Sequence, residues 1–547
     1  MSQFFYNQRE NLVNDAIEGA IIASPWNNLA RLETDPAIRI VVRRDLVKSR
    51  VAVISGGGAG HEPAHAGFVG KGMLTAAVCG DLFASPSVDA VLTAIQAVTG
   101  DAGCLLIVKN YTGDRLNFGL AAEKARRLGY KVEMVIVGDD ISLPDNKHPR
   151  GIAGTILVHK VAGYFTEIGS NLDTVTREAR LAMSRVFSLG VALASCHLPG
   201  DPQDGVRHFP GKAELGMGIH GEPGASVVDT QNSAELVHLM VEKLSAALPA
   251  TGRLLLMLNN LGGGSVTEMA ILTRELASSA LASRCDWLIG PAPLVSALDM
   301  KGFSITAMVM EESVEKALLS EVRTAGWLPP VRLRPQTTLP RDIKSARVAF
   351  TPSEDAQVAD YIETVTATLS DQEGCLNALD AKVGDGDTGS TFALGAQDVA
   401  TLLQQNALPL NNPAQLLQLI GERLATVMGG SSGVLMSLFF TAAGQTLAQG
   451  EPLANALLAG LKQMKFYGGA EPGDRTLIDA LQPALEALRD KGLAEAIAAA
   501  QQGADSTATM QKAKAGRASY VNSDNLNGVP DPGAVAVAEV FAAFGKA

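Results

Sequence analysis

The sequence predicts a multidomain protein, an α/β domain followed by an all-helical one, and three observations carry that division. Up to about residue 330, short β-branched runs alternate with longer helical patterns. Between Trp327 and Pro352 the stretch LPPVRLRPQTTLPRDIKSARVAFTP carries five prolines and no amphipathic period. Beyond it, segments rich in Ala, Leu and Gln lack the alternation of strands.

In the first part, IRIVVRR, VAVISGG, CLLIVKN, KVEMVIVGDD, GVALASC, RLLLMLNNLGG and DWLIGP read as buried strands. The sheet is expected to be largely parallel, with ligand-binding loops at the carboxyl ends of its strands. The proline-rich stretch, residues 329–352, is expected to link the domains. After it Ser353 reads as a helix cap, with Val358, Ile362, Val365 and Leu369 at helical spacing. Residues 413–428, 433–449, 452–465, 475–489 and 533–545 continue as helices.

The chain of 547 residues is too long for one core, and 47% hydrophobic with 19% charged residues is an ordinary globular composition. A net charge of −12 excludes a broad nucleic-acid-binding surface. The five cysteines are scattered without a CxxC pair, which fits reduced thiols in a cytoplasmic protein. The N-terminus lacks the basic-then-apolar order of a secretion signal, and no apolar run is long enough for a membrane span.

Three aspartates, Asp380, Asp385 and Asp387, fall within eight residues in LDAKVGDGDTGST, which is expected to be the loop after the first helix of the second domain. Magnesium takes hard oxygen ligands and shares its shell with phosphates, so such a cluster suits one ion or two. Thr388, Ser390 and Thr391 add hydroxyl donors, and the glycines between them leave N–H groups open to an anion. The same spacing fits a glycine-rich surface turn, and alone it does not separate the two. Three companion loops, MGGSSGV, GGAEPGDRT and the pair GRASY and PDPGA, each open or precede a helix, where the macrodipole favours an anion. Arg475 and Arg517 would clamp phosphate, stack on a base or simply pair with a carboxylate such as Asp474.

In the α/β part, GGGAGHEPAH follows a strand. Its glycines would let backbone approach a small ligand while His61 serves as acid, base or hydrogen-bond partner. It is a poor dinucleotide fingerprint, since no acidic ribose partner is placed and no clean helix start follows. KNYTGD sets Lys109 and Asp114 just past another strand, and GMGIHGEPG brackets His220 between glycines, where an imidazole could add to a carbonyl or sit idle in a hairpin.

GGGAGHEPAH, KNYTGD and GMGIHGEPG, followed by GDGDTGS, GGSSG, GDRT and DPGA, resemble the single-chain ATP-dependent dihydroxyacetone kinases over nearly the whole chain. The resemblance implies a dihydroxyacetone-binding domain of two α/β lobes over residues 1–328, dividing near 180–190, and a helical barrel over residues 353–547 that carries ATP. It further implies a hemiaminal between dihydroxyacetone and His220, His61 and Asp114 as acid/base pair, and Gly58, Ala59, Gly60, His61 and Lys109 as substrate contacts. Asp380, Asp385 and Asp387 match ligands of a pair of magnesium ions. Thr388, Gly389, Ser390, Thr391, Ser431, Ser432, Gly473, Arg475, Asp531, Pro532 and Gly533 match nucleotide contacts, although relatives can carry His in place of Thr388.

The expected reaction is ATP-dependent phosphorylation of dihydroxyacetone, with glyceraldehyde as a further acceptor, in a homodimer with crossed domains. The alternatives are an FAD-AMP lyase side activity, a phosphoenolpyruvate-driven route that the fusion of both domains disfavours, and a non-catalytic dihydroxyacetone-binding regulator.

Overall fold

The computed structural model describes residues 4–200, 207, 210–230, 232–334, 337–340, 350–514 and 517–546. Part of the expected linker, residues 335–336 and 341–349, lies outside the described residues, as does the side chain of Arg517. The chain forms two compact units, Met1–Leu339 and Pro340–Ala547.

The first unit contains two sheets. One has six strands, β1 (Leu29–Arg31), β2 (Arg39–Arg43), β3 (Ala52–Ala59), β4 (Ala76–Leu82), β5 (Cys104–Lys109) and β6 (Val132–Val137), ordered β1-β2-β4-β3-β5-β6. Its centre is parallel: β3 pairs with β4 and β5, and β5 with β6. Strands β3 and β5 are buried along their full length, as continuous apolar runs between two helical layers should be.

The second sheet adds β7 (Val186–Ala194), β8 (Lys212–Leu215), β9 (Ser226–Asp229), β10 (Leu254–Asn260), β11 (Cys285–Ala292), β12 (Lys301–Val309) and β13 (Val331–Arg332), ordered β13-β11-β10-β12-β7-β8-β9. Here the expectation of largely parallel sheet is corrected, because only β10 and β11 run parallel. Those two strands are joined through the helix Val266–Ala277, the crossover that parallel neighbours require. From β11 to β12 the chain returns without a helix, and β12 inserts antiparallel between β10 and β7. Helix Thr155–Glu167 is buried around most of its circumference, in one core with side chains of both sheets, among them Val53, Leu105, Met257 and Met308.

All long elements described in the second unit are helices. The five expected helices form at Pro413–Val427, Gly430–Leu447, Leu453–Gly468, Ile478–Asp490 and Pro532–Phe544, preceded by Ala356–Asp371. The last of these is capped by Asp355, whose carboxylate accepts the Val358 N–H, and not by Ser353. Glu373–Val383, Thr388–Gln404 and Leu493–Thr507 are further helices that the sequence reading did not single out. The aspartate cluster therefore follows the second helix of the unit, and Asp380 is itself helical. The helices enclose an apolar cavity of about 340 Å³ walled by side chains such as Phe439, Leu481 and Phe541.

Candidate functional site

In the first unit, the sequence-predicted residues gather at the carboxyl ends of β3 and β5. His61 follows β3, Lys109 ends β5, and Asp114 lies in the first turn of helix Thr112–Arg127. His61 is fully buried, and its Nδ1 stands 2.8 Å from the carbonyl oxygen of Ser296. A carbonyl only accepts, so Nδ1 carries the proton and Nε2 keeps its lone pair. That Nε2 has no hydrogen-bond partner among the described residues, nor have the buried Lys109 Nζ and Asp114 Oδ1. Buried polar atoms left open together point to a polar ligand or ordered water between them.

His220 lies in the loop between β8 and β9, and its side chain is 23% exposed. Its ring meets three others edge-on: His61 at 4.8 Å, Tyr111 at 4.6 Å and Phe83 at 5.3 Å between centroids. His61 in turn stacks on Phe83 at 5.0 Å. The two histidines named from separate motifs are thus neighbours, caged by two aromatic residues that the sequence reading did not single out. Tyr111 stands inside the quoted motif KNYTGD, so a signal existed; Phe83 had none.

Burial holds the His61 imidazole well below its ordinary pKa, assisted by the charge of Lys109. Burial likewise raises Asp114 against the pull of Lys109, and lowers Lys109 against the pull of Asp114 and Glu62. The pocket therefore keeps a neutral base beside an acid/base carboxyl and a buried lysine amine, with a second imidazole open to an incoming small molecule.

The second unit carries a cavity of about 820 Å³, walled by Asp380, Asp385, Asp387, Thr388, Thr391, Ser431, Ser432, Arg475, Asp531, Pro532 and Gly533, with Met428 and Tyr467 among its other lining residues. Asp380 is buried and organises the loop beside it: its Oδ2 accepts N–H groups of Gly386 at 3.1 Å, Asp387 at 3.0 Å and Thr388 at 3.1 Å. These are donors at the start of helix Thr388–Gln404 that the helix itself leaves unpaired. Only glycine fits at 384, since a Cβ there would stand 2.2 Å from Asp380 Oδ1.

One carboxylate oxygen from each of Asp380, Asp385 and Asp387 lies within 4.8 Å of the others. An all-oxygen, anionic donor set of this size fits a hard divalent cation such as magnesium. Across the cavity, Arg475 is 1% exposed and donates Nη2–H to the Val529 carbonyl at 2.7 Å, while Nε and Nη1 have no hydrogen-bond partner among the described residues. The start of helix Gly430–Leu447 adds Ser431 and Ser432, and Asp531 caps helix Pro532–Phe544 through the Ala534 N–H at 2.8 Å.

Gly389, Ser390 and Gly473 lie outside the cavity wall. The Ser390 hydroxyl is engaged with Glu373 and Asn377, and the Gly473 N–H donates to Asp479. Asp479 also accepts the Thr476 N–H at 2.7 Å, so it shapes the loop that presents Arg475. Nothing in its spacing marked it beforehand.

Residues 20–326 match the Dak1 domain and residues 382–546 the DAK2 domain. The dihydroxyacetone kinase of Citrobacter freundii is 72% identical over 548 residues, covering 100% of this chain and 99% of that protein. The triokinase/FMN cyclase of Homo sapiens is 40% identical, covering 99% of each chain. The crystal structure of the C. freundii dihydroxyacetone kinase in complex with AMP-PNP and Mg2+ superposes with a TM-score of 0.70 at 70% identity, covering 100% of both chains.

Proposed function

The chain belongs to the dihydroxyacetone kinase family with fused Dak1 and DAK2 domains, and from that premise we propose how its two half-sites share one reaction. The enzyme is a phosphotransferase with an alcohol acceptor: it phosphorylates dihydroxyacetone at the expense of ATP, with Mg2+. We assign residues 1–328 to the acceptor and residues 353–547 to the nucleotide. The observation that carries the assignment is the pairing, within one chain, of the His61–His220 pocket with a helical cavity bearing three convergent carboxylates.

In this reading His220 Nε2 adds to the carbonyl carbon of dihydroxyacetone. Such a bond selects ketones and aldehydes, glyceraldehyde included, over glycerol, which has no carbonyl to attack. His61 Nε2 accepts the proton of the reacting hydroxyl, Asp114 takes part in that proton transfer, and Lys109 with the backbone of Gly58, Ala59 and Gly60 fixes the ligand. In the helical domain Asp380, Asp385 and Asp387 hold magnesium. We assign Thr388, Thr391, Ser431, Ser432, Arg475 and Asp531–Gly533, which line the cavity, to contact with the nucleotide, while Gly389, Ser390 and Gly473 shape the loops behind that wall. When bound, the metal neutralises charge on the transferring phosphoryl group.

The proline-rich residues 329–352 favour extended chain, which lets a helical domain reach a partner's substrate domain, so we place the enzyme as a homodimer with crossed domains. No described helix is long and apolar enough to cross a membrane, and the scattered, free thiols support a cytoplasmic location. The human relative's name couples triokinase with FMN cyclase, which supports release of cyclic FMN from FAD as a second activity. The intact aspartate cluster speaks against a purely regulatory protein.

The test is kinase turnover of His220→Ala and Asp385→Ala with dihydroxyacetone and Mg-ATP and no phosphocarrier. Near-normal rates in both variants would reject the mechanism.

A further inference from the structure

Glu222 lies two residues beyond His220 and turns back on it. One carboxylate oxygen, Oε2, accepts the His220 backbone N–H at 2.9 Å, and the other, Oε1, stands 3.7 Å from His220 Nδ1. The carboxylate occupies the space where residue 218 would carry a side chain, for a Cβ on Gly218 would fall 2.0 Å from Glu222 Cδ. A side chain at 218 would therefore push that carboxylate out of its place beside His220.

Glu222 is itself held from behind. Arg150 Nη1 lies 3.5 Å from Glu222 Oε1. The same guanidinium donates to Asp140 Oδ2 at 2.8 Å, to the Gly216 carbonyl at 2.6 Å and to Ser142 Oγ at 3.2 Å. A chain Asp140–Arg150–Glu222–His220 thus runs from β6's end to the imidazole, and none of its first three members touches the open polar atoms of the pocket. Burial would raise the Glu222 carboxyl, but His220 and Arg150 pull it down to about 2, so it is ionised wherever the enzyme works.

We propose that Glu222 is a positioning residue that keeps the proton of His220 on Nδ1, so that Nε2 presents its lone pair to the carbonyl of a small ketone or aldehyde. The proposal rests on the reading of His220 as the nucleophile. As the Nε2 lone pair forms the bond to carbon, the C=O π pair moves to oxygen and the ring becomes an imidazolium. The oxygen then takes up a proton while the ring releases the one on Nδ1, so the net change is one N–C bond and one proton moved from nitrogen to oxygen. The ionised carboxylate stabilises the imidazolium in between, as the third member of a nucleophile-orienting set does. A gap of 3.7 Å is longer than a hydrogen bond, and such contacts tighten when substrate arrives.

The experiment uses the full chain with dihydroxyacetone labelled with ¹³C at its carbonyl carbon, and ¹⁵N-labelled histidine. In wild type a protein-bound tetrahedral carbon signal is expected, together with His220 as the Nδ1–H tautomer; His220→Ala loses the bound signal. Glu222→Gln should keep the backbone hydrogen bond, shift His220 towards the Nε2–H tautomer, and lower both the bound signal and kcat/KM by about tenfold or more, with Glu222→Asp restoring part of each. An unchanged tautomer and bound signal in Glu222→Gln, with the signal still lost in His220→Ala, overturns the proposal and leaves the His220 reading standing. A bound signal that survives in His220→Ala overturns both. Should Glu222→Gln fail to fold, Arg150→Gln, which loosens the same chain from its far end, is read by the same two signals.

Discussion

His61 and Ser296 meet through a 2.8 Å hydrogen bond between imidazole Nδ1 and a backbone carbonyl oxygen, across 235 residues of sequence. That contact fixes the tautomer of the proposed base, because the carbonyl takes the Nδ1 proton and leaves Nε2 as the only basic nitrogen. Replacement of His61 by Ala is expected to lower kcat by about 10²–10⁴ while KM changes far less. The pH profile carries a sign as well. Burial, with Lys109, depresses the His61 pKa, so the neutral, active form persists below the ordinary histidine value of about 6.5 and activity falls only as pH drops through a lower one. An acid limb at or above the ordinary value, measured on kcat/KM in wild type and absent in the variant, would contradict this role.

The three aspartates should not respond alike. Asp385 and Asp387 are both exposed, whereas Asp380 is buried and holds three backbone N–H groups. Asp385→Ala is expected to abolish Mg-dependent nucleotide binding with little change in melting temperature. Asp380→Ala should lose binding and about 1–3 kcal/mol of stability besides, since it leaves three backbone donors without their acceptor. Calorimetric titration with Mg-AMP-PNP and thermal unfolding of the same preparations separate the two; equal melting temperatures would refute the organising role of Asp380.

Arg475 presents a different balance. Its guanidinium is almost fully buried, and two of its nitrogens have no hydrogen-bond partner among the described residues, an arrangement that costs stability until an anion arrives. Arg475→Met should weaken nucleotide binding by about tenfold or more, while leaving the nucleotide-free protein at least as stable as wild type. A variant that is less stable without ligand but binds normally would make Arg475 a structural residue only.

These contacts show where sequence reading reached and where it stopped. Asp380, Asp385 and Asp387 were legible because their spacing is local: one helix end and the turn after it bring the carboxylates together whatever the rest of the chain does. His61 and His220 could each be named from glycine-rich surroundings, but their meeting through Phe83 and Tyr111 depends on how the two sheets pack. The Ser296 carbonyl that sets the tautomer carries no side-chain signal at all. The second sheet was misread for a similar reason. Strand β12 was not singled out among the expected strands, and its antiparallel insertion follows from a connection that lacks a helix, not from its own residues. Glu222 was visible in GMGIHGEPG, yet its role appears only once the turn folds its carboxylate back onto His220.

The proposed crossed homodimer makes the last prediction. His220→Ala disables the substrate half of one chain and leaves its helical half intact, and Asp385→Ala does the reverse. If each active site used two domains of one chain, a mixed dimer would contain no complete site, and a mixture of the two inactive variants would stay inactive. If the helical domain of one chain serves the substrate domain of its partner, each mixed dimer holds one complete site and one with both halves disabled. Subunits of the two variants, combined under conditions that allow exchange, should then recover about a quarter of the wild-type rate per chain: random pairing makes about half of the dimers mixed, and each of those has one working site of two. Sedimentation of the same mixture reports whether dimers are present, so activity without dimers, or mixed dimers without activity, would each reject the crossed arrangement.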